Sequence, residues 1–186
     1  MLPLPLFRDM VFLANDLIEL VPLDPDNEVH VEAYRQSRNE PEMRATGAYG
    51  ECDTPSQARE RISEGQNTEN PGALCAIRAE ETVIGWAVTN LHDSRAHVAY
   101  VGYYVLPDYW GNGYASEAAR LLVTYAFDEL NAHRVEASVQ ADNPASRRVL
   151  EKLGFQKEGV KRDAFYKEGE YKDIQLWSLL TDEFAE

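Results

Sequence analysis

The chain has 186 residues, of which 44% are hydrophobic, and this apolar content suffices for one well-filled core but not for two comfortable domains. We therefore expect a single domain over 1–186, in which 1–16 form an N-terminal extension. The formal net charge of -14 argues against a surface that embraces nucleic acid or anionic lipid, because both need a positive footprint, so an anionic ligand has to be bound locally.

Along the chain, the hydrophobic periodicity changes between that of strands and that of helices. The predicted elements are a strand at 17–23, polar helices at 27–39 and 56–66, three strands within 73–106 with turns at 79–82 and 92–95, a helix at 114–130, a strand at 133–141, a short helix at 144–153 and a final strand pair at 155–167 and 171–180. This order predicts a mixed α/β fold that is antiparallel at both ends, with one or two parallel contacts where helices cross over.

The cysteines, histidines and N-terminal residues carry no signal for a metal, a disulfide framework or a membrane. Cys52 and Cys75 lack the short spacing of a metal knuckle, and the four histidines lack i,i+4 spacing or cysteine neighbours. Prolines and charges interrupt the apolar N-terminus, and nothing approaches the roughly 18 apolar residues of a membrane span. We expect a soluble, cytoplasmic protein without metal.

The stretch YWGNGYASEAA (109–119) places two glycines between a predicted strand and a predicted helix, almost without a loop. If the helix begins near Gly113, the amides of 111–116 have no carbonyl partners, and such a cluster at a helix N-terminus favours an anion. The glycines also suit a tight turn without a ligand, and the stretch alone leaves both interpretations open.

Two common phosphate-binding motifs do not fit this stretch. A P-loop is excluded because no lysine precedes Lys152. A dinucleotide-binding turn is disfavoured because Ser116 stands where its third glycine would be, and His133 and Arg134 stand where its acidic residue would be.

The segment QADNPASRRVLEKLGF (140–155) contains the signals of a short helix. Asn143 suits the N-cap, Pro144 the first helical position and Gly154 the C-terminal stop. In an acidic chain this helix is net positive, with one glutamate and three basic residues, Arg147, Arg148 and Lys152. These side chains suit either a phosphate or an ordinary solvated helix face.

Together, these motifs resemble those of the GCN5-related N-acetyltransferases, and within that family the ribosomal-protein N-terminal acetyltransferase-like branch. The resemblance is strongest over 100–179. The family's acetyl-CoA loop, (Q/R)-x-x-G-x-(G/A), falls on WGNGYA, and Trp110 replaces its first Gln or Arg, which removes one polar contact. ADNPASRRVLEKLGFQKEG and DAFYKEGEYKDIQLWSLL resemble later parts of the family pattern.

The resemblance implies a splayed, mostly antiparallel sheet flanked by helices, with acetyl-CoA between the strand ending near Leu106 and the strand ending near Ala141. The pyrophosphate would lie on the loop amides, and the pantetheine arm would pair with strand backbone as an added strand. The residues that it implies for acetyl-CoA binding are Val105, Leu106, Trp110, Gly111, Asn112, Gly113, Tyr114, Ala115, Ser116, Asn143, Ser146, Arg148 and Lys152.

The reaction implied is transfer of the acetyl group to a primary amine by direct attack in a ternary complex. The expected proton donor to the leaving thiolate is Ser146, which also fits an ordinary helix serine. Tyr103, Tyr104 and Tyr166 are further candidates to supply or share this proton, although tyrosines in such strands also suit the core or the rim of the sheet. The strand at 96–105 carries no acid, so the candidate bases acting through water are Glu158 and Asp173, which equally suit solvated strand positions.

An α-amine is an easier acceptor than a lysine for a site without a strong base. Its pKa lies roughly 2.5 units lower, a difference of about 3.3 kcal/mol in the cost of deprotonation. The expected acceptor is therefore a protein N-terminus, in a pocket formed by 38–52 and 165–172. Alternatives are a small cationic amine, such as a polyamine or an aminoglycoside, and a non-catalytic acyl-CoA-binding module. We expect a monomer or homodimer that binds neither nucleic acid nor membrane.

Overall fold

The computed structural model describes residues 10–47, 51–67 and 69–184, which form one sheet with helices on both faces. The strands are β1 (Leu13–Ala14), β2 (Glu19–Pro22), β3 (Gly72–Ala79), β4 (Thr82–Asp93), β5 (Val98–Val105), β6 (Arg134–Gln140), β7 (Gln156–Lys167) and β8 (Glu170–Leu180). The helices are α1 (Glu28–Asn39), α2 (Pro41–Thr46), α3 (Pro55–Gln66), α4 (Tyr114–Asp128) and α5 (Pro144–Lys152), with a 3-10 turn at Pro107–Tyr109.

The sheet has the order β1-β2-β3-β4-β5-β6-β8-β7, and among the described strands β5 and β6 form its parallel pair. That pair is short, because its register runs only from Val98 opposite Arg134 to Tyr100 opposite Glu136. Beyond these positions both strands continue without pairing with each other, so the sheet splays open. The predicted mixed, mostly antiparallel, splayed sheet is confirmed.

Each face of the sheet is covered by its own hydrophobic core. Since successive strand residues face opposite sides, β5 directs Val101 and Val105 toward α4 and α5, whereas Tyr104 faces α1 and α3. On this second face Tyr104 stacks on Trp86 at 4.3 Å between ring centroids. The splay between β5 and β6 therefore connects the two faces.

The structure differs from the predicted elements at several ends. The predicted N-terminal extension contains β1, which pairs with β2, and residues 1–9 lie outside the described part. The turn predicted at 92–95 falls slightly later, because Asp93 still belongs to β4 and accepts the amides of Arg95 and Ala96 at 2.9 Å each. None of the helices described is long and apolar enough to cross a membrane.

Candidate active site

A cavity of about 690 Å³ opens where β5 and β6 part. Both strands line it, together with the start of α4, one side of α5 and the end of α2. Most residues expected for acetyl-CoA lie on its wall, namely Val105, Trp110, Gly111, Gly113, Tyr114, Ala115, Ser116, Asn143, Ser146, Arg148 and Lys152. The structure thus brings together two motifs that are separated by about thirty residues in the sequence.

The start of α4 presents unpaired backbone amides to this cavity. Gly113 is its N-cap residue, no side chain caps it, and the first helical bond runs from the amide of Glu117 to the carbonyl of Gly113 at 3.1 Å. Gly111 and Gly113 have φ angles of 81° and 85°, and a Cβ at either would meet nothing within 4 Å. Glycine is needed here for the left-handed backbone, and the open space leaves the amides accessible to an anion.

Two residues expected to bind acetyl-CoA do not line the cavity. Leu106 donates its N–H to the carbonyl of Ile84 at 2.8 Å and accepts at its own carbonyl from the amide of Tyr109 at 2.9 Å. The side chain of Asn112 donates to the carbonyls of Tyr109 and Trp110, at 3.1 and 3.2 Å. Both residues hold the strand-to-helix turn in shape, and the N–H of Leu106 is already bonded within the protein, so any pairing of Leu106 with a ligand is left to its carbonyl.

Trp110 fastens the turn to the end of β5. Its side chain is 45% exposed on the cavity rim, and its indole N–H donates to the carbonyl of Val105 at 2.6 Å. That carbonyl has a second lone pair, so Val105 keeps an acceptor for a ligand. The tryptophan therefore does more than remove a polar contact, because it fixes the loop by a bond within the protein.

The signals for α5 in the sequence are confirmed by its geometry. The side chain of Asn143 accepts from the amide of Ser146 at 3.0 Å, Pro144 opens the helix, and Gly154 follows it with a φ of 89°. The cap leaves the carboxamide of Asn143 and the hydroxyl of Ser146 on the cavity wall. Of the three basic residues, Arg148 and Lys152 line the cavity and are exposed, whereas Arg147 does not line it.

The hydroxyl groups of Tyr103 and Ser146 lie 3.0 Å apart across the splay. Tyr103 also donates to the carbonyl of Ser146 at 3.3 Å. Burial raises the pKa of Tyr103 to about 12, and the hydrogen bond from Ser146 opposes that rise only in part. Tyr103 is therefore protonated at neutral pH, and the pair can supply a proton to an atom in the cavity.

Of the other candidate acid and base residues, Tyr104 lines the cavity with its ring stacked on Trp86, whereas Glu158, Asp173 and Tyr166 do not line it. Glu158 accepts hydrogen bonds from Ser178 and Arg134, which lower the pKa of its carboxyl in that order, and it is not on the cavity wall. Asp173 accepts from the amide of Asp163 at 2.9 Å, and Tyr166 is 65% exposed. The expectation that Glu158 is the base is corrected, because its carboxylate is engaged elsewhere and its pKa is low.

Several cavity residues were not predicted individually. Met43 and Gly47 fall within the predicted acceptor segment 38–52, part of which, 48–50, lies outside the described residues. From the second segment, 165–172, Lys167 donates to the carbonyls of Arg44 and Gly47 and so holds the end of α2. Tyr100, Gln140 and Ile174 also line the cavity; Gln140 opens the segment 140–155, but all three are strand residues without a signal of their own for a site.

Within the described part of the chain, no group of three or more His, Cys, Asp or Glu side chains is arranged to hold a metal ion. The cavity's donors to a ligand are instead backbone amides, hydroxyls, one carboxamide cap and two cations. This set matches the phosphates and amides of a coenzyme A molecule, and the cavity is large enough for its arm.

The sequence matches the family model described as "Acetyltransferase (GNAT) domain" over residues 18–156. Among curated proteins, it is 38% identical to an uncharacterised N-acetyltransferase, p20, of Bacillus licheniformis over 109 residues, which are 59% of this chain and 61% of that protein. It is 30% identical over 107 residues to the [ribosomal protein uS5]-alanine N-acetyltransferase of Escherichia coli, covering 57% of this chain and 55% of that enzyme. The chain thus spans less than two thirds of the length of these relatives.

Among solved structures, the fold matches a crystal structure of a "Probable acetyltransferase" with a TM-score of 0.82 and 26% identity, covering 94% of this chain and 99% of the other. It also matches the acetyltransferase (GNAT family) of Bacillus anthracis with a TM-score of 0.78 and 24% identity, covering 94% and 100% of the two chains. Each match therefore covers nearly the whole chain.

Proposed function

The chain belongs to the GNAT acetyltransferase family, and on that premise we propose that it is an N-acetyltransferase that transfers the acetyl group of acetyl-CoA to a primary amine, the N-terminal α-amine of a protein. The observation that carries the proposal is the hydroxyl pair of Tyr103 and Ser146, 3.0 Å apart, in the same cavity as the open amides of α4. One cavity thus offers both an anion site and a proton donor.

The residues that would hold acetyl-CoA occupy one side of the splay. The amides of Tyr114 to Ser116 face the cavity without a side-chain cap, and Arg148 and Lys152 add two positive charges from α5. The helix dipole and these charges favour a diphosphate, even though the whole chain carries a net charge of -14. The splayed end of β5, including the Val105 carbonyl, would hold the pantetheine arm.

Bound acetyl-CoA supplies an activated thioester, and residues of the chain protonate the leaving thiolate. As the amine nitrogen forms its bond to the acetyl carbon, the carbon–sulfur bond breaks and the sulfur takes a proton. Ser146 is proposed to give that proton and to regain one from Tyr103, whose raised pKa keeps it protonated. The acceptor's own proton goes to water, since the predicted carboxylates are not on the cavity wall.

The choice of a protein N-terminus rests on two supports. A site without a carboxylate base is suited to an amine that is already partly neutral, and an α-amine with a pKa near 8 meets this need far better than a lysine near 10.4. In addition, a relative that is 30% identical acts, by its name, on the alanine of ribosomal protein uS5.

A thiol-release assay with acetyl-CoA tests the function against three acceptor panels: peptides with free N-termini, polyamines and aminoglycosides. The same peptides with blocked N-termini are the matched control. We expect turnover with the free peptides and none with the blocked ones. Turnover with polyamines or aminoglycosides alone would show that the acceptor is a small cation, which the acidic surface would attract. Acetyl-CoA binding without any turnover would indicate a non-catalytic acyl-CoA-binding module.

A further inference from the structure

Gln140, the last residue of β6, has a buried carboxamide without a hydrogen-bond partner. Its side chain is 6% exposed, and both Nε2 and Oε1 lack a partner. Buried polar groups are almost always paired in folded proteins, since an unpaired donor or acceptor forgoes the bonds that it makes with water. Because Gln140 lines the main cavity, a ligand is able to meet this need.

The position of Gln140 separates it from the groups that would bind the phosphates. In β6, Val135, Ala137 and Val139 are buried in the core shared with α4, so the alternation of the strand directs Gln140 to the opposite face. It pairs with Ile174 of β8, and the same cavity is walled by Met43 and Gly47 at the end of α2. This is the face on which an acceptor would enter, opposite the start of α4.

We propose that Gln140 binds a peptide group of the acceptor, so that it selects polypeptide N-termini over other primary amines. A carboxamide offers a donor and an acceptor side by side, and a peptide group offers the complementary C=O and N–H. The protonated ammonium groups of a polyamine only donate hydrogen bonds, so they would leave Nε2 unpaired. The inference rests on the proposed function in that it specifies the class of acceptor for the same cavity.

Neither amide atom of Gln140 is exposed, so binding in this way requires the side chain to turn toward the cavity when the acceptor enters. The clamp of Lys167 on the carbonyls of Arg44 and Gly47 keeps the opposite wall in place, so the acceptor is held between α2 and β6. In this arrangement Gln140 binds the peptide group at the end of β6, shortly before Asn143 and Ser146 in the chain.

The test compares a peptide with analogues in which its first or second amide linkage is an ester, with wild-type protein and with Gln140→Leu. The ester lacks the N–H and is a weaker acceptor. For wild-type protein we expect a KM about five- to tenfold higher for one ester analogue than for the peptide. This is the change in affinity expected when one or two hydrogen bonds are lost. In Gln140→Leu the KM for the peptide should rise to that for the ester analogue, and the affinity for acetyl-CoA should be unchanged.

Gln175→Leu is the matched control. Gln175 is also a buried glutamine, at 7% exposure, with an unpaired Oε1, but it lies opposite Val139 on the other face of the sheet and does not line the cavity. Leucine at position 140 should keep or raise the melting temperature, because an unpaired amide is replaced by an apolar side chain. Only the change at position 140 should raise the KM for peptides.

An unchanged peptide KM in Gln140→Leu would overturn the proposal, and so would a weaker affinity for acetyl-CoA, which would assign Gln140 to the pantetheine arm. If wild-type protein transfers no acetyl group to any amine, the proposed function fails on its own. The inference is then decided by calorimetry with the peptide in the presence of CoA: binding that Gln140→Leu loses supports it, and binding that is absent or equal in both proteins contradicts it.

Discussion

The indole N–H of Trp110 donates to the carbonyl of Val105 at 2.6 Å and so ties the turn before α4 to the end of β5. This bond holds the amides of the helix start and the end of the strand in one geometry. Trp110→Phe removes it and keeps an aromatic ring. We expect acetyl-CoA to bind about fivefold more weakly, as for one hydrogen bond of about 1 kcal/mol.

Calorimetric titration of acetyl-CoA into Trp110→Phe measures this effect, and Trp177→Phe is its control. The indole N–H of Trp177 is buried without a partner, so its removal breaks no hydrogen bond. Affinity that falls only in Trp110→Phe supports the assigned role. Equal affinity in both variants and in wild-type protein would show that the turn keeps its shape without this bond.

Gly113→Glu should abolish acetyl-CoA binding and leave the fold intact. The new carboxylate would project into open space at the start of α4, where it would repel a diphosphate. The left-handed φ of 85° adds a backbone cost of about 1–2 kcal/mol for any side chain. Gly169→Glu carries the same cost, because Gly169 has a φ of 84° and equally open space in the turn between β7 and β8.

Affinity for acetyl-CoA and melting temperature should be measured for both glycine variants. A similar loss of stability in the two, with loss of affinity in Gly113→Glu alone, is the expected outcome. Retained affinity in Gly113→Glu would place the phosphates elsewhere.

Ser146→Ala and Tyr103→Phe should each lower kcat and leave the affinity for acetyl-CoA nearly unchanged. Each change removes one hydroxyl of the pair, and general acid catalysis of this kind typically contributes about 10²–10⁴-fold. Because the two groups act as one unit, the double variant should be little slower than the slower single variant. Effects of the two changes that multiply, or a loss of affinity equal to the loss of kcat, would contradict a shared role in proton donation.

The free energy of unfolding should fall as the pH rises from about 9 to 12. Burial raises the pKa of the Cys75 thiol from 9.0 to about 12 and that of Tyr103 from 10.0 to about 12. Over this range the unfolded chain releases protons that the native protein keeps, so stability is lost with rising pH, by up to about 1.4 kcal/mol per pH unit for each such proton. Burial also raises the pKa of Tyr100.

Urea unfolding at a series of alkaline pH values measures this slope, and Cys75→Ala isolates one of the protons. The variant should lose stability less steeply above pH 9 than wild-type protein does. The same slope in both proteins would mean that the thiol is not protected by burial.

The cofactor side of the cavity was predictable because its chemistry depends on local signals. A glycine indicates a position with positive φ, and Asn followed by Pro indicates a helix N-cap. The structure has positive φ at Gly111 and Gly113 and the cap at Asn143. Strand periodicity likewise predicted a mixed sheet that is antiparallel at both ends, whereas its splay was implied by the family resemblance. The N–H of Leu106 is bonded to β4, and strand periodicity does not tell which edge of a strand an amide faces.

The acceptor side was not predictable because its residues come from distant segments. Met43 and Gln140 come to line the same cavity only after the sheet has formed. Glu158 was a plausible base from its place in the sequence, yet its carboxylate is bonded to Ser178 and Arg134 across the sheet. Long-range pairing of this kind leaves no periodic pattern in the chain.

The most direct test of the central claim is to locate the acetyl group on a peptide that has both a free N-terminus and an internal lysine. The peptide is incubated at neutral pH with acetyl-CoA and wild-type protein, and the product is sequenced by mass spectrometry, with Ser146→Ala in parallel. Acetylation at the α-amine alone, slowed in the variant, is the predicted result. Acetylation at the lysine side chain, or no peptide product while a polyamine or an aminoglycoside is acetylated, would contradict the assignment of a protein N-terminus as the acceptor.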